Sequence, residues 1–510
     1  AMVSVMFAGA MPAYSSPAGD AARIFVEYSP GQKHNVGNVL NAANARFHYE
    51  FDDLNSFVVT LPAAALNGIR RNPNVVGIEE DAPRYPIAST PAKAQAMALD
   101  TTDANGQTIP YGIDAVQARD IWDTNRDGDV DPAAPTGAGR TVCVIDTGYY
   151  AAHEDLGSVS TVGGFSQVDD DWARDGYGHG THVAGTISAA NNGLGVVGVT
   201  PGTVDFFIIK YFDDSGAASL ASDLIAAINL CADNGANVIS MSLGGSRSVM
   251  REARAFDNVY AQGVLSIAAA GNDANTAYSY PASYDSVMSV AAVDEANNIA
   301  DFSQQNSQVE IAAPGVGVLS TVPFIDTTSF TAGGQDYAAN HVEYSARGAA
   351  AGQLVDGGLC DSNGAWVGNI VLCERGDISF LDKVTNVETG GGLAAVIYNN
   401  EPGDLFATLG EGASSGIIGI SLSQQDGQYL VENALGSIGD VESFFTWPAS
   451  GYQAWNGTSM ATPHVSGVAA LIWSADPSWS NAEIREAMNA TAMDLGADGR
   501  DTAYGHGLVQ

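Results

Sequence analysis

Gly457-Thr458-Ser459-Met460-Ala461-Thr462-Pro463-His464 is the stretch on which the reading of this chain turns. An apolar run, residues 465–473, follows at once and contains the small residues Gly467, Ala469 and Ala470. The pattern predicts a buried helix with Ser459 at its start. A helix N-terminus carries partial positive charge and free N–H groups, and both favour an oxyanion forming beside that serine. Serine at a helix start is also commonly an ordinary N-cap. The stretch alone leaves nucleophile and cap both open.

Working outward, residues 140–145 form a continuous apolar strand that ends at Asp146-Thr147-Gly148. A fully apolar strand suggests a buried parallel sheet. Open α/β sheets place function at the carboxyl ends of their strands, although a strand-end turn is a common use of Asp. Gly178-His179-Gly180-Thr181-His182-Val183-Ala184-Gly185 opens a second helix of small residues. Its two histidines lack the glutamate of an HExxH zinc site. Further strands are expected at 206–210, 238–243 and 265–270, the last ending in Gly271-Asn272-Asp273. Helices are expected at 114–122 and 220–234. Strands alternating with helices predict a doubly wound, mostly parallel α/β sheet.

The chain has 510 residues, with 58 acidic against 20 basic side chains and a net charge of −38. Such a surface repels nucleic acid and suits a salty or cation-rich medium, where screening of self-repulsion should raise stability. No apolar run reaches membrane-spanning length. The length exceeds that of one average domain, so two or three domains are expected. Residues 1–19 are apolar at first and poor in charge, and Ala8-Gly9-Ala10 has the look of a signal cleavage site, so an export-signal remnant is expected there. Residues 20–86 form an α+β module with strands at 23–28, 57–61 and 75–81 and a helix at 63–71. Residues 87–106 have linker composition. The core occupies 107–330 and 446–510, and Gly-rich strands at 368–373 and 394–398 mark an inserted, β-rich domain at 331–445. Cys360 and Cys373 are close enough in sequence to close a small loop, whereas Cys143 and Cys231 are either bonded or buried thiols. Asp123, Asn125, Asp127, Asp129 and Asp131 alternate as in the first half of a calcium loop, with Gly128 between. Ala134 stands where the last acid of such a loop belongs, so a solvated acidic turn is the alternative.

Asp146, His179 and Ser459 occur in the chain order of subtilisin-type triads. The motifs around them are specific: Val144-Ile145-Asp146-Thr147-Gly148, GHGTHVAG at 178–185, SMSLGG at 240–245, AAAGN at 268–272 and GTSMATPH at 457–464. Over residues 107–510 the chain resembles the subtilisin-family serine proteases, the subtilases. The resemblance implies Ser459 as nucleophile, His179 as its base, Asp146 as the group that orients and stabilises the imidazole, and Asn272 as oxyanion donor. It makes His182, His464 and His506 structural. Substrate would lie extended between Ser242-Leu243-Gly244 and Asp214-Ser215-Gly216. The primary pocket would be walled by Ala269, Ala270, Gly271 and Ser279, with Asp273 near its far end. That implies broad specificity with a preference for large apolar residues, and Asp273 could admit basic ones. Ala218 and Ala221 imply a shallow outer subsite. A structural Ca2+ site is implied at the side chains of Gln107, Asp155 and Asn192 and the carbonyls of Ala190, Leu194 and Val196, where a tight Asn-Gly turn is the alternative. A weaker cation site near Ala282, Tyr284 and Glu310 has no local motif behind it.

By the same resemblance, residues 20–86 look like a subtilase propeptide, chaperone and intramolecular inhibitor, whose tail lies product-like in the cleft and is cut before Gln107. The insert resembles a protease-associated domain on Ile370-Val371-Leu372-Cys373-Glu374-Arg375-Gly376 and Val396-Ile397-Tyr398-Asn399-Asn400, a domain of substrate access or protein binding. The chain is therefore expected to be a secreted, extracellular, calcium-stabilised serine endopeptidase. It would be a monomer made as a self-processing zymogen, acting on proteins and peptides and not on nucleic acid or membrane. A catalytically silent peptide-binding protein and an exopeptidase are the rivals.

Overall fold

The computed structural model describes residues 21–87, 89–91, 100–323, 326–342, 345–376, 378–410, 413–445 and 450–510. The export-signal reading of residues 1–19 and the central part of the linker lie outside them. The chain divides into two compact units, Ala1–Pro323 with Gly451–Gln510, and Phe324–Ser450.

The larger unit is built on a seven-stranded parallel sheet. Its spatial order is Thr161–Ser166, Asp205–Lys210, Thr141–Asp146, Val238–Met241, Leu265–Ala269, Val287–Val293 and Val309–Pro314. Alternation along the strands supplies two cores. Val142 and Val144 join the helices His179–Ser188 and Thr458–Ala475 on one face. Cys143 and Ile145 join Ala221–Asp233 and Met250–Ala261 on the other. Continuous apolar strands are what burial on both faces requires. Cys143 is bonded to Cys231, tying a central strand to a covering helix with Cα atoms 5.8 Å apart. The expected helix at 114–122 is instead two short ones, Tyr111–Ala115 and Arg119–Trp122. Gln117, at a φ of 60°, breaks it with a left-handed residue. Among the described residues no helix is long and apolar enough to cross a membrane.

The N-terminal module is a four-stranded antiparallel sheet in the order Arg46–Phe51, Ser56–Pro62, Ala21–Tyr28, Val75–Glu80, with helices Lys33–Ala42 and Ala63–Arg70. The first helix and the strand Arg46–Phe51 were not legible from periodicity. Along Ala21–Tyr28 the side chains of Ile24, Val26 and Tyr28 fill the module's own core. Phe25 points the other way, into the core shared with the helices Ala221–Asp233 and Met250–Ala261.

The second unit is an eight-stranded mixed sheet whose centre, Gly348–Asp356, Asn369–Glu374, Ala394–Tyr398 and Ile418–Leu422, is parallel. Helices Phe380–Thr389 and Gln424–Asn433 begin at Ser379 and Ser423, whose side chains accept from Asp382 and Asp426 N–H groups as N-caps. Cys360 and Cys373 are bonded.

Candidate active site

Asp146 ends the strand Thr141–Asp146, and His179 begins the helix His179–Ser188. Gly180 allows the two to meet: a Cβ there would lie 2.2 Å from Gly148 O and 3.1 Å from Asp146 Cβ. With that approach, His179 Nδ1 lies 2.7 Å from Asp146 Oδ1, and both side chains are buried. Burial opposes the imidazolium, but the charge and hydrogen bond of Asp146, with Asp175 beyond, outweigh it and raise the His179 pKa above its ordinary value. His179 Nε2 has no hydrogen-bond partner among the described residues.

Ser459 is the second residue of the helix Thr458–Ala475, which begins after Gly457 without a side-chain cap. The cap reading of Ser459 therefore falls away. Its hydroxyl donates toward Ile87 O at 3.2 Å, with Ser242 O at 3.4 Å. Pro463 explains a local detail of this helix. Lacking an N–H, it leaves the carbonyl four residues back, Ser459 O, without its helical donor. Ser242 Oγ supplies one at 2.8 Å, fixing the helix start to the substrate-side edge. Asn272 follows the strand Leu265–Ala269. Its Oδ1 accepts from Thr458 N at 2.9 Å and Thr458 Oγ1 at 2.8 Å, which turns Nδ2 toward Gly457 and the cleft.

An extended segment, Pro83–Pro86, fills the cleft as the middle strand of a three-stranded sheet. Tyr85 and Pro86 pair with Gly244 and Leu243, and Ile87 N donates to Ser242 O at 3.3 Å. Pro83 and Arg84 pair on the other side with Leu220 and Ser219. The second edge is thus Ser219–Leu220 and not Asp214-Ser215-Gly216. Asp214 is drawn away to Lys210 at 2.8 Å and Gly176 N at 3.0 Å, and Asp213 Oδ1 closes a turn by accepting from Ser215 and Ala217 N–H groups. Beyond Ser459 the chain continues as Thr90–Pro91, paired with Asn456 and Trp455.

A cavity of about 550 Å³ adjoins Ile87. Gly244, Gly271, Asn272, Asp273 and Ser279 line it, together with Tyr278, Phe302 and Gln304, which motif reading did not find. Ala269 and Ala270 do not line it; Ala270 packs into the core with Ala291, Val309 and Leu508, and Ala269 is buried. Asp273 is exposed to solvent. His182 and His464 are buried, with Nε2 and Nδ1 respectively on backbone carbonyls of Val318 and Gln453, and of Met460. Burial pushes them down to about 3 and about 4, so both stay neutral.

Gln107 is buried, and its Nε2 lies 2.7 Å from Ala190 O, 2.8 Å from Val196 O and 3.5 Å from Asn192 Oδ1. Asp155 Oδ1 meets Asn192 Nδ2 at 3.2 Å, Asp155 Oδ2 accepts from Val196 N at 2.8 Å, and burial lifts this carboxyl to about 6. Oxygen acceptors converging on one amide suit a hard cation. Leu194 N donates to Asn192 Oδ1 at 2.8 Å within the same loop. The acidic loop differs. Asp123 is buried beside Arg119 at 3.5 Å, Asn125 donates to Asp127, Asp129 accepts from Asn105, and Asp131 accepts from Thr124. Its acids are not brought together: among the described residues no group of three or more His, Cys, Asp or Glu is gathered as a metal centre. Glu310 is taken by Arg485, and Tyr284 by Glu252.

Comparison with known proteins agrees with this geometry. The profile of the subtilase family matches residues 137–341 and 431–507, and that of the PA domain matches residues 347–430. Subtilisin DY of Bacillus licheniformis is 40% identical over 241 residues, 46% of this chain and 82% of its own. Alkaline elastase YaB of Bacillus sp. (strain YaB) is 29% identical over 492 residues, covering 95% of this chain and 86% of its own. The crystal structure of the psychrophilic subtilisin-like protease Apa1 from the Antarctic psychrotroph Pseudoalteromonas sp. AS-11 aligns with a TM-score of 0.51 at 37% identity, covering 79% of this chain and 96% of that one. The match of the subtilase profile over more than half of the chain, with a strand-end aspartate paired to a helix-start histidine, a serine at the start of a buried helix, and a PA domain between the two matched segments in sequence, places this chain in the subtilase family of serine endopeptidases.

Proposed function

We propose that this chain is the uncut precursor of a secreted, calcium-stabilised endopeptidase that matures itself by cutting between Ile87 and Ala88. The observation that carries the proposal is the placement of residues 83–87 as an antiparallel strand in the cleft, with the Ile87 carbonyl 3.2 Å from Ser459 Oγ. An extended strand between two edges is how a peptide substrate binds by its backbone. Chain on both sides of Ser459, Pro83–Pro86 and Thr90–Pro91, favours cleavage of internal bonds over removal of end residues.

In this reading the Ser459 hydroxyl turns from the Ile87 carbonyl oxygen to His179 Nε2, gives up its proton there, and attacks the carbonyl carbon. Asp146 holds the imidazole with Nδ1–H toward itself and stabilises the cation that forms. The Asn272 amide, locked by Thr458, donates to the developing oxyanion. His179 then returns the proton to the departing Ala88 amine, leaving an acyl-enzyme for water. The residues 20–86 act as propeptide, with the tail left in the cleft as inhibitor. Ile87 beside a cavity of about 550 Å³ supports a preference for apolar residues, larger ones included, before the scissile bond. Gln107, Asp155 and Asn192, with the carbonyls of Ala190, Leu194 and Val196, would hold Ca2+, which supplies a structural tie between these three segments. The two disulfides support an oxidising, extracellular location.

Mass spectrometry of the purified chain incubated with Ca2+, wild type against Ser459→Ala, tests this. Wild type is expected to part after Ile87 while the variant stays whole. If both stay whole, and wild type freed of residues 20–87 also leaves casein intact, a silent peptide-binding protein replaces the proposal.

A further inference from the structure

Arg84 is the fourth residue before the proposed scissile bond, and its side chain is fully buried together with that of Glu252. Arg84 Nε donates to Glu252 Oε1 at 2.9 Å, and Nη2 donates to Oε2. This is the two-pronged pairing that matches guanidinium to carboxylate. Two of the three remaining donors are also occupied: Nη1 meets Pro83 O at 2.9 Å, and Nη2 meets Arg247 O at 3.2 Å. Tyr284 OH, 2.7 Å from Glu252 Oε2, holds the carboxylate from behind.

Glu252 sits in the first turn of Met250–Ala261, where a helix favours a negative charge. It shares the buried side of that helix with Ala255, Phe256 and Val259. The neighbouring cations do not neutralise it. Arg251 reaches Glu27 and Glu79 of the N-terminal module, and Arg254 reaches Glu27. With the N-terminal module in place the subsite is therefore a buried slot with one carboxylate at its floor, flanked by an edge whose neighbours Ala218 and Ala221 are small.

We infer that Glu252 makes this outer subsite selective for arginine at the fourth position before the cut. The inference rests on the cleft reading above, in which Ile87 precedes the scissile bond. An apolar side chain in the slot leaves a buried carboxylate without its charge partner, and an acidic one adds like charge. Lysine brings charge without the fork and should fall between. On this inference the outer subsite that Ala218 and Ala221 flank ends on a carboxylate. It also gives Arg84 a role in maturation, as the residue that sets the register of the tail.

The test uses the autoprocessed enzyme and quenched fluorescent peptides Ala-Pro-Xaa-Tyr-Pro-Ile-Ala-Ser-Thr, with Xaa as Arg, Lys, Leu or Glu, and mass spectrometry of the products. Arg is expected to exceed Leu by roughly thirtyfold or more in kcat/KM. A Glu252→Leu variant, made with Arg84→Leu so that its own tail still fits, should prefer Leu. Equal kcat/KM for the Arg and Leu peptides on wild type, both cut after Ile, overturns the selectivity while leaving the cleft reading intact. Cutting of the Arg peptide at another bond overturns the register, and with it both readings. The wild-type series decides by itself if the variant does not fold.

Discussion

Asp81→Ala should weaken the hold of the N-terminal module on the enzyme far more than Glu79→Ala, although both carboxylates sit at helix starts. Asp81 Oδ1 accepts from Ser222 N at 2.9 Å and Oδ2 from Ser222 Oγ at 2.7 Å, capping the helix Ala221–Asp233 from across the seam. It also pairs with Arg23 Nε at 2.9 Å, and its side chain is fully buried. Loss of a cap costs about 1 kcal/mol. The bond to Ser222 Oγ is one to a charged group and costs about 1.5–3 kcal/mol to lose, whereas the Arg23 pair lies within the N-terminal module and does not count toward docking. A net of about 2–3 kcal/mol is expected, which is roughly a 30- to 150-fold rise in the inhibition constant. Glu79 caps the other helix by accepting from Met250 N at 2.8 Å and pairs with Arg251 at 3.0 Å, but it is 22% exposed. Its loss should cost about 1 kcal/mol, or about fivefold. The assay is titration of the matured enzyme with the separate segment 20–87 and its two variants, read as residual peptide hydrolysis. A change below threefold for Asp81→Ala, or a larger effect from Glu79→Ala, refutes the reasoning and assigns docking to the tail and the Phe25 face.

If Asn272 serves as the proposed oxyanion donor, Asn272→Ala is expected to lower kcat by roughly two to three decades with KM little changed, the scale on which loss of one such donor acts; steady-state kinetics on one peptide decide it. His179 must be neutral to act as base, and its pKa is raised, so activity should fall away as pH drops through a value above about 6.5. Asp146→Asn removes the charge that lifts it, and the pH profile of kcat/KM should shift toward acid as kcat drops by roughly 10⁴. The Cys143–Cys231 bond spans 88 residues, so replacing both by Ala should cost about 4 kcal/mol of stability. Thermal unfolding of the Ser459→Ala background, which does not digest itself, would show it.

Much of the site was readable because its residues stand where short-range rules apply. Asp146 ends an apolar strand, His179 and Ser459 begin helices, and the glycines around them mark close approaches that leave a trace in sequence. What stayed hidden depends on pairing across long separations. Nothing local says that Cys143 meets Cys231, or that the second substrate edge is Ser219–Leu220. Asp214 was misplaced because its partners, Lys210 and Gly176, bend the loop before it can run extended. Ala269 and Ala270 were placed by motif, yet their methyl groups follow the sheet into the core. Glu252 is the instructive omission. In Met250–Ala261 it reads as one more surface acid among arginines, but it lies three, four and seven residues before Ala255, Phe256 and Val259. Helical periodicity puts all four on one side, and an acid in register with a buried stripe is the signal that would have found it.

The passage of Pro83–Pro86 and Thr90–Pro91 through the chain's own cleft also dictates a time course. A scissile bond delivered by its own polypeptide is cut in a unimolecular step, so the rate of first processing should not change on dilution. On the proposed maturation, destruction of a released segment 20–87 would need a second, unoccupied enzyme molecule and would be bimolecular. Activity should therefore appear after a lag that lengthens as the protein is diluted, and a trace of finished enzyme should abolish it.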